Sequence, residues 1–325
     1  MTDVSIVIPT RGRESLRIAI HSATRQRGLQ VEVIVVDASG TGAARPLVES
    51  LSGVRYIDPG VPLLPGQARS LGCADSGGQW VALLDDDDAF APSKCAEQIS
   101  AVMRSDAALA TSDYATVPYA RLCGLAADSS MGWERDFEAL IGSGRHGPRD
   151  RPTDQQRLAT YLFERRSLRS RKRLVTSSIL VEGSVARDVS WNAGLTRFED
   201  WEWLVRLDRE GVRWVHVAKP LVGIAVSGPG SLSRSESTLD ATHGNWPIAL
   251  LWEQEPRPLG DLLTCDIGVA LAHMGDIAGA VRMFKVGRIV GKPGWRASIR
   301  LVCAVAAARA RRHVAGLRLS LITMS

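Results

Sequence analysis

The stretch QWVALLDDDDAF, residues 79–90, places four consecutive aspartates, Asp85 to Asp88, between an apolar run and an apolar pair. Adjacent like charges repel, and an apolar flank exposes each carboxylate to a desolvation cost of roughly several kcal/mol. Residues 79–85 read as a short strand buried on both sides. The aspartates then stand at its carboxyl end, where a rigid backbone presents them to whatever lies beyond the sheet.

The same pattern recurs before this stretch. VSIVIP (4–9), VEVIVVD (31–37) and VRYID (54–58) are β-branched, continuously apolar runs. Between them, ESLRIAIHSATRQ (14–26), AARPLVESL (43–51) and PGQARSLGCADS (65–76) read as helices, and APSKCAEQISAVMRS (91–105) follows as another, with Pro92 near its start. AALATSDY (107–114) is a further strand candidate. Short apolar strands alternating with helices indicate an α/β fold with a mostly parallel sheet covered on both faces. In open sheets of this kind ligands bind beyond the carboxyl ends of the strands. Three strands end there on polar residues: Pro9, Thr10 and Arg11 after the first, Asp37 at the second, Asp85 to Asp88 at the fourth.

Residues 118–173 are less regular. GSGRHGPRDRPTD (142–154) reads as a loop or lid, and a basic helix is expected from about 155 to 173. LVTSSILVEG (174–183) is a strand, EDWEWLVRLDREG (199–211) a helix closed by Gly211, and VRWVHV and PLVGIAV are two more strands. Beyond 248 the pattern is helical, with breaks at Gly275 and at Lys292-Pro293-Gly294. The expected organisation is an α/β region over 1–247, with one half near 1–117 and a second near 174–235, then a helical region over 248–325.

The net charge of +5 is unevenly distributed. Residues 277–325 carry ten Lys or Arg and no acid, and 145–173 carry ten against three acids, so the remainder is −12. A pI of 9.1 therefore does not by itself indicate nucleic acid, and none is expected as a partner. Five scattered cysteines without C-x-x-C spacing suggest reduced thiols. Neither a signal peptide nor an apolar run of the ~18 residues needed to span a bilayer is legible. The expectation is a cytoplasmic protein, with peripheral contact at the inner membrane face left open.

Asp85-x-Asp87 at a strand end suits Mg²⁺ or Mn²⁺, which take one or two carboxylates and complete their shell with water and substrate phosphates. A dication also offsets the clustered charge. A solvated acidic turn is the plain alternative. A phosphatase of the D-x-D-x-T type fits poorly, because Ala89 follows the run and the run follows the fourth strand rather than the first.

VSIVIPTRGR, VEVIVVDAS, PGQARSLGCADSGGQWVALLDDDD and FEDWEWLVRL, in this order over roughly residues 3–235, resemble family 2 glycosyltransferases of the GT-A fold. The resemblance implies an inverting transferase using a nucleotide-diphospho-sugar, UDP- or dTDP-linked, and a divalent metal. It implies that Pro9, Thr10 and Arg13 line the base pocket, that Asp37 hydrogen-bonds the base, and that Arg69 lies near the diphosphate or base. Asp85 and Asp86 would contact the nucleotide-sugar and Asp87 would ligate the metal, with His216 a further metal candidate. The family often has a second acid after Asp37, where this chain has Ala38, and often Asn where it has Ser70.

Displacement at an anomeric carbon with inversion needs a base on the face opposite the leaving phosphate. Asp200 is the expected base, with Glu199 orienting it or touching the acceptor. Acids also favour the first turn of any helix through its dipole, so the position alone is ambiguous. Trp201 and Trp203 point to different sides of their helix, one toward the core and one available to stack on a sugar, and Trp191 shares this ambiguity. A lone His in a strand, as His216 is, is more often structural than a metal ligand. The loop GPGSLSR (228–234) is a candidate to close over the diphosphate through its amides and Arg234. Saccharide, lipid-linked sugar, peptide and small natural product all remain as acceptors. The basic C-terminal helix is expected to pack on the catalytic region, to form a homodimer, or to lie on an anionic membrane. A sugar nucleotidyltransferase is a competing reading, weakened because its glycine-rich loop is replaced by PTRGRES; an inactive binding or scaffold protein is another.

Overall fold

The computed structural model describes residues 2–49, 51–127, 132–148, 150–153, 156–165, 174–226, 245–251 and 254–322. Nine strands form one mixed sheet: β1 (Val4–Thr10), β2 (Val31–Asp37), β3 (Val54–Ile57), β4 (Trp80–Leu83), β5 (Ala89–Phe90), β6 (Leu109–Pro118), β7 (Arg145–Gly147), β8 (Leu180–Glu182) and β9 (Trp214–Val226). Their order is β3-β2-β1-β4-β8-β6-β9-β5, with β7 beside β6.

The half formed by β3, β2, β1 and β4 is wholly parallel. Thr10 stands opposite Asp37, and Val7 opposite Leu83, so the polar residues that follow all emerge at one edge. The other half is mixed, because β8 runs antiparallel to both β4 and β6. The two runs expected as separate strands, VRWVHV and PLVGIAV, are one strand, β9. It stays parallel to β6 across a register shift at Ser112 to Tyr114. Pro220 lies at that irregularity, where the missing amide N–H of proline costs no ladder bond.

Two further expectations are revised. LVTSSILVEG is a 3₁₀ turn, Thr176–Ser178, followed by only three strand residues. The segment 142–154 contains β7 rather than loop alone. Of the basic helix expected over 155–173, the described part is Leu158–Phe163, and 166–173 lie outside the described residues.

The chain divides into two compact units, 1–154 with 171–235, and 155–170 with 236–325. The boundary thus falls near 235 rather than 247, and residues 155–170 belong with the C-terminal helices. The reason lies in side-chain partners within that unit. Thr160 Oγ1 donates to Glu255 Oε2 at 2.6 Å, and the amide of Arg165 donates to Asp261 Oδ2 at 2.8 Å. The buried Arg165 guanidinium pairs with Asp266, and Phe163 meets the Trp246 ring edge-on at 6.5 Å. The helices Ile277–Val290 and Trp295–Ile322 are separated at Gly291–Gly294, as the sequence predicts, and Gly275 with φ +88° ends the helix before them. Among the described residues no helix is long and apolar enough to cross a membrane.

The helix Pro65–Ala74 carries Arg69 and lies directly on β1 and β2. Gly72 permits this approach: a Cβ there would sit 2.4 Å from Val7 Cγ1 and 3.1 Å from Val36 Cγ2. Both valines are fully buried and stiff about χ1. Gly→Ala inside a helix ordinarily stabilises by up to about 1 kcal/mol. Gly72→Ala is expected to reverse that sign and cost about 1–3 kcal/mol through overpacking, read by urea denaturation. Unchanged or raised stability would show that the helix does not need this contact.

Candidate active site

A cleft of about 400 Å³ opens at the carboxyl edge of the parallel half-sheet, within the size range of small-molecule sites. Pro9, Thr10, Arg13, Arg69, Asp85 to Asp88, Glu199 and Asp200 all line it. Residues far apart in sequence are brought together because β1, β4 and the helix Glu199–Arg209 all point into it.

The four aspartates have different surroundings. Asp86 is buried and accepts from Thr10 Oγ1 at 2.6 Å, with Arg13 Nη1 at 3.3 Å. Arg13 also donates to Asp87 Oδ2 at 2.8 Å. Asp88 is enclosed: Ser177 Oγ and the amide of Ala225 donate to it at 2.6 and 3.2 Å, tying the turn after β4 to the 3₁₀ turn and to β9. Asp85 accepts from Arg69 Nη2 at 2.8 Å and is the most open, its side chain 36% exposed. Burial raises the pKa of Asp86 and, much further, of Asp88. Burial, reinforced by the charges of Asp85 and Asp86, pushes Asp87 up to about 6 despite Arg13.

Arg69 is the other organising cation. Its Nη1 donates to Glu199 Oε1 at 2.7 Å while Nη2 holds Asp85, and its guanidinium lies over the Trp191 ring at 5.1 Å. Trp191 stacks at 4.6 Å on Trp203, which is wholly buried, so these two are the core members of the tryptophan set. Trp201 lines the cleft. Burial works against the Arg69 charge, but Asp85 and Glu199 more than offset it and its pKa rises. Glu199 is shifted upward by its own burial, with Arg69 opposing and Asp200 adding to the shift. Asp200 accepts from Thr176 Oγ1 at 3.0 Å and from the amide of Trp201 at 2.9 Å. Phe198, just before this helix, has φ +64°, a conformation uncommon outside glycine, and it sets the angle at which Glu199 and Asp200 enter the cleft.

Two expected site residues are placed elsewhere. Asp37 does not face the cleft. It is fully buried, with Oδ1 accepting from the amide of Ser39 at 2.9 Å and Oδ2 from the amide of Ala44 and the Tyr56 hydroxyl, both at 2.8 Å. Burial would raise its pKa, but these hydrogen bonds prevail and lower it. The neighbouring Ala38 forms the cleft wall in its place. His216 also lies outside the cleft. Thr111 Oγ1 is 2.8 Å from its Nδ1 and Asp113 Oδ1 is 2.7 Å from its Nε2, so both ring nitrogens are committed. The loop 228–234 with Arg234 lies outside the described residues.

The sequence reading missed Thr176, Arg197 and Phe198, which also line the cleft, and Ser177, which braces Asp88. The signal for Thr176 and Ser177 is visible in retrospect: three hydroxyls, TSS, interrupt an otherwise apolar run.

The cleft suits a divalent cation. Its lining holds six carboxylates (Asp85 to Asp88, Glu199, Asp200) and four guanidiniums (Arg11, Arg13, Arg69, Arg197), a formal charge of −2. The accessible donors are hard oxygens on Asp85 and Asp87. Among the described residues no cluster of three or more His, Cys, Asp or Glu forms a ready metal cage.

The parallel half-sheet, the mixed half and the carboxylate cleft define a GT-A-type α/β fold. Residues 5–120 match the family described as Glycosyl transferase family 2. It is 35% identical over 114 residues to the succinoglycan biosynthesis protein ExoO of Rhizobium meliloti, covering 33% of this chain and 30% of ExoO. The amylovoran biosynthesis glycosyltransferase AmsB of Erwinia amylovora is 25% identical over 248 residues, 73% of this chain and 75% of AmsB. The chain spans about a third of the length of ExoO and of an uncharacterized Haemophilus influenzae glycosyltransferase, 30% and 34% respectively. Among solved structures, S. aureus TarS 1–349 with UDP-GlcNAc superposes with a TM-score of 0.59 at 13% identity, over 94% of this chain and 91% of that one.

The surroundings of Asp37 make it a brace for the loop between β2 and Ala44. Asp37→Asn is expected to cost about 1–3 kcal/mol of stability, because buried amide donors lose their charged acceptor. It should leave ligand-induced stabilisation in place. Wild-type stability in this variant would contradict the bracing role.

Proposed function

We propose that this chain is an inverting glycosyltransferase that moves a sugar from a nucleoside-diphospho-sugar to an acceptor hydroxyl, with a divalent cation at Asp87. One observation carries this reading: a strand-end aspartate run and a helix-start acidic pair converge on one cleft and are joined through Arg69. The bound UDP-GlcNAc in the related TarS fold supports a uridine-type donor. The names of ExoO and AmsB, both of polysaccharide biosynthesis, favour a saccharide among the possible acceptors.

In this reading Asp200 accepts the proton of the acceptor hydroxyl. The hydroxyl oxygen bonds to the anomeric carbon from the face opposite the diphosphate, and the diphosphate leaves with the electron pair of the broken C–O bond. Thr176 and the amide of Trp201 fix the Asp200 carboxylate in orientation. The pairing of Glu199 with Arg69 supports a positioning role for Glu199, with Asp200 as the base. Asp85, held by the same guanidinium, faces the donor. The cation, when bound, offsets charge developing on the departing diphosphate. Thr10 and Arg13 hold the aspartate turn against β1.

A melting-temperature screen of nucleotide-sugars with and without Mn²⁺ tests the donor. A metal-dependent rise with at least one nucleoside diphosphate is expected, and none at all would remove the basis for the proposal. Two substitutions separate the roles. Asp87→Asn should weaken metal-dependent donor binding. Asp200→Asn should retain donor binding and lower transfer by about 10²–10⁴-fold. Equal loss of donor binding in both would contradict the assignment.

A further inference from the structure

We propose that the exposed face of the last two helices, Ile277–Val290 and Trp295–Ile322, docks in the plane of an anionic lipid surface. The inward side of this pair is ordinary: Ala280, Met283, Ala297, Leu301 and Ala304 are buried within the C-terminal unit. The outward side of such a helix should be polar. Here it is not. Ile289 is 80% exposed, Val302 66%, Trp295 57% and Ile299 43%. Six of the ten exposed large hydrophobic side chains among the described residues fall between 274 and 302, so this is a concentration rather than scatter.

The charges on the same face identify the partner. Arg282, Lys285, Arg288, Lys292 and Arg296 interleave with these apolar residues. From 277 onward the sequence contains ten Lys or Arg and no Asp or Glu, while residues 1–276 hold 30 cations against 35 acids. The guanidinium of Arg296 lies 4.5 Å above the Trp295 ring, placing a cation and an amphipathic aromatic together as a lipid headgroup layer accepts them.

Other occupants fit less well. An isologous contact with a second copy would set this all-cationic face against itself. Nucleic acid would draw on the cations but leave the projecting aliphatic side chains in water, and the rest of the chain would repel it. An interfacial helix pair uses both features, since aliphatics enter the acyl boundary while cations meet anionic headgroups. With no membrane-crossing helix among the described residues, the attachment is in-plane.

The test is flotation of the full chain with vesicles of phosphatidylcholine alone and vesicles enriched in phosphatidylglycerol. Binding to the anionic vesicles only is expected, with loss as salt is raised from about 0.1 to 1 M and the Debye length falls from about 10 to 3 Å. Arg288→Gln with Lys292→Gln should weaken binding by about fivefold per charge. Ile289→Ser with Trp295→Ser should weaken it at unchanged charge. All four side chains are on the outer face of the helix pair or its elbow, and unchanged thermal melts verify that the variants fold. No flotation, equal binding to neutral vesicles, or indifference to both variants would overturn the proposal. So would a dimer in light scattering that dissociates with the same substitutions, which would assign the face to a second copy.

Discussion

A buried guanidinium holding a carboxylate on each side is the interaction on which this site depends. Arg69 is almost without solvent, and an unpaired cation there would be untenable at several kcal/mol. Asp85 and Glu199 remove that cost, and in doing so are themselves fixed at 2.8 and 2.7 Å from one side chain. The two halves of the cleft, one from β4 and one from the helix Glu199–Arg209, are therefore set by a common fork. Arginine suits the task because its planar group offers donors in two fixed directions, which a lysine ammonium does not.

The fork is itself supported by tight packing. Its helix reaches β1 and β2 only because Gly72 presents no side chain, and its guanidinium rests on the Trp191–Trp203 stack. Trp203 Nε1 donates to the carbonyl of Val189 at 2.7 Å, which anchors the buried ring of the stack. On the other side of the cleft, Asp88 spends its carboxylate on Ser177 and Ala225. The aspartate run therefore divides its labour: Asp86 and Asp88 fasten the turn, while Asp85 and Asp87 keep part of their surface open to the cleft. Like-charge repulsion among four neighbours is tolerated because Asp88 is hydrogen-bonded into the scaffold and Arg13 and Arg69 set cations beside the other three.

Not every buried charge belongs to the site. Lys94 is fully buried, donating to Gln98 Oε1 at 2.7 Å and lying 4.1 Å from the centre of the Phe90 ring, and burial lowers its pKa to about 8. In the sequence it is one more cation in the first turn of an amphipathic helix. Gln98 in turn donates to the carbonyl of Ser178, next to the Ser177 that holds Asp88. The support of the aspartate turn thus runs two layers deep, and the second layer carries no motif.

By itself the sequence determined the alternation of strands and helices, the parallel half-sheet and the edge at which its polar residues emerge. Those features follow from hydrophobic periodicity and turn residues within a few positions of one another. It also marked Asp85 to Asp88, Arg69, Glu199 and Asp200, because charged residues at strand ends and helix starts stand out against apolar runs. The tertiary structure alone decided which of the polar residues line the cleft. Asp37 ends its strand just as Asp85 follows β4, yet three donors from the loop and β3 close over it. His216 sits in a strand as a candidate ligand, yet Thr111 and Asp113 of the neighbouring strand take both its nitrogens. Arg69 and Glu199 are 130 residues apart, and no local pattern records their pairing. A side chain's partner is fixed by what the folded sheet brings within about 3 Å, and that distance has no counterpart along the chain.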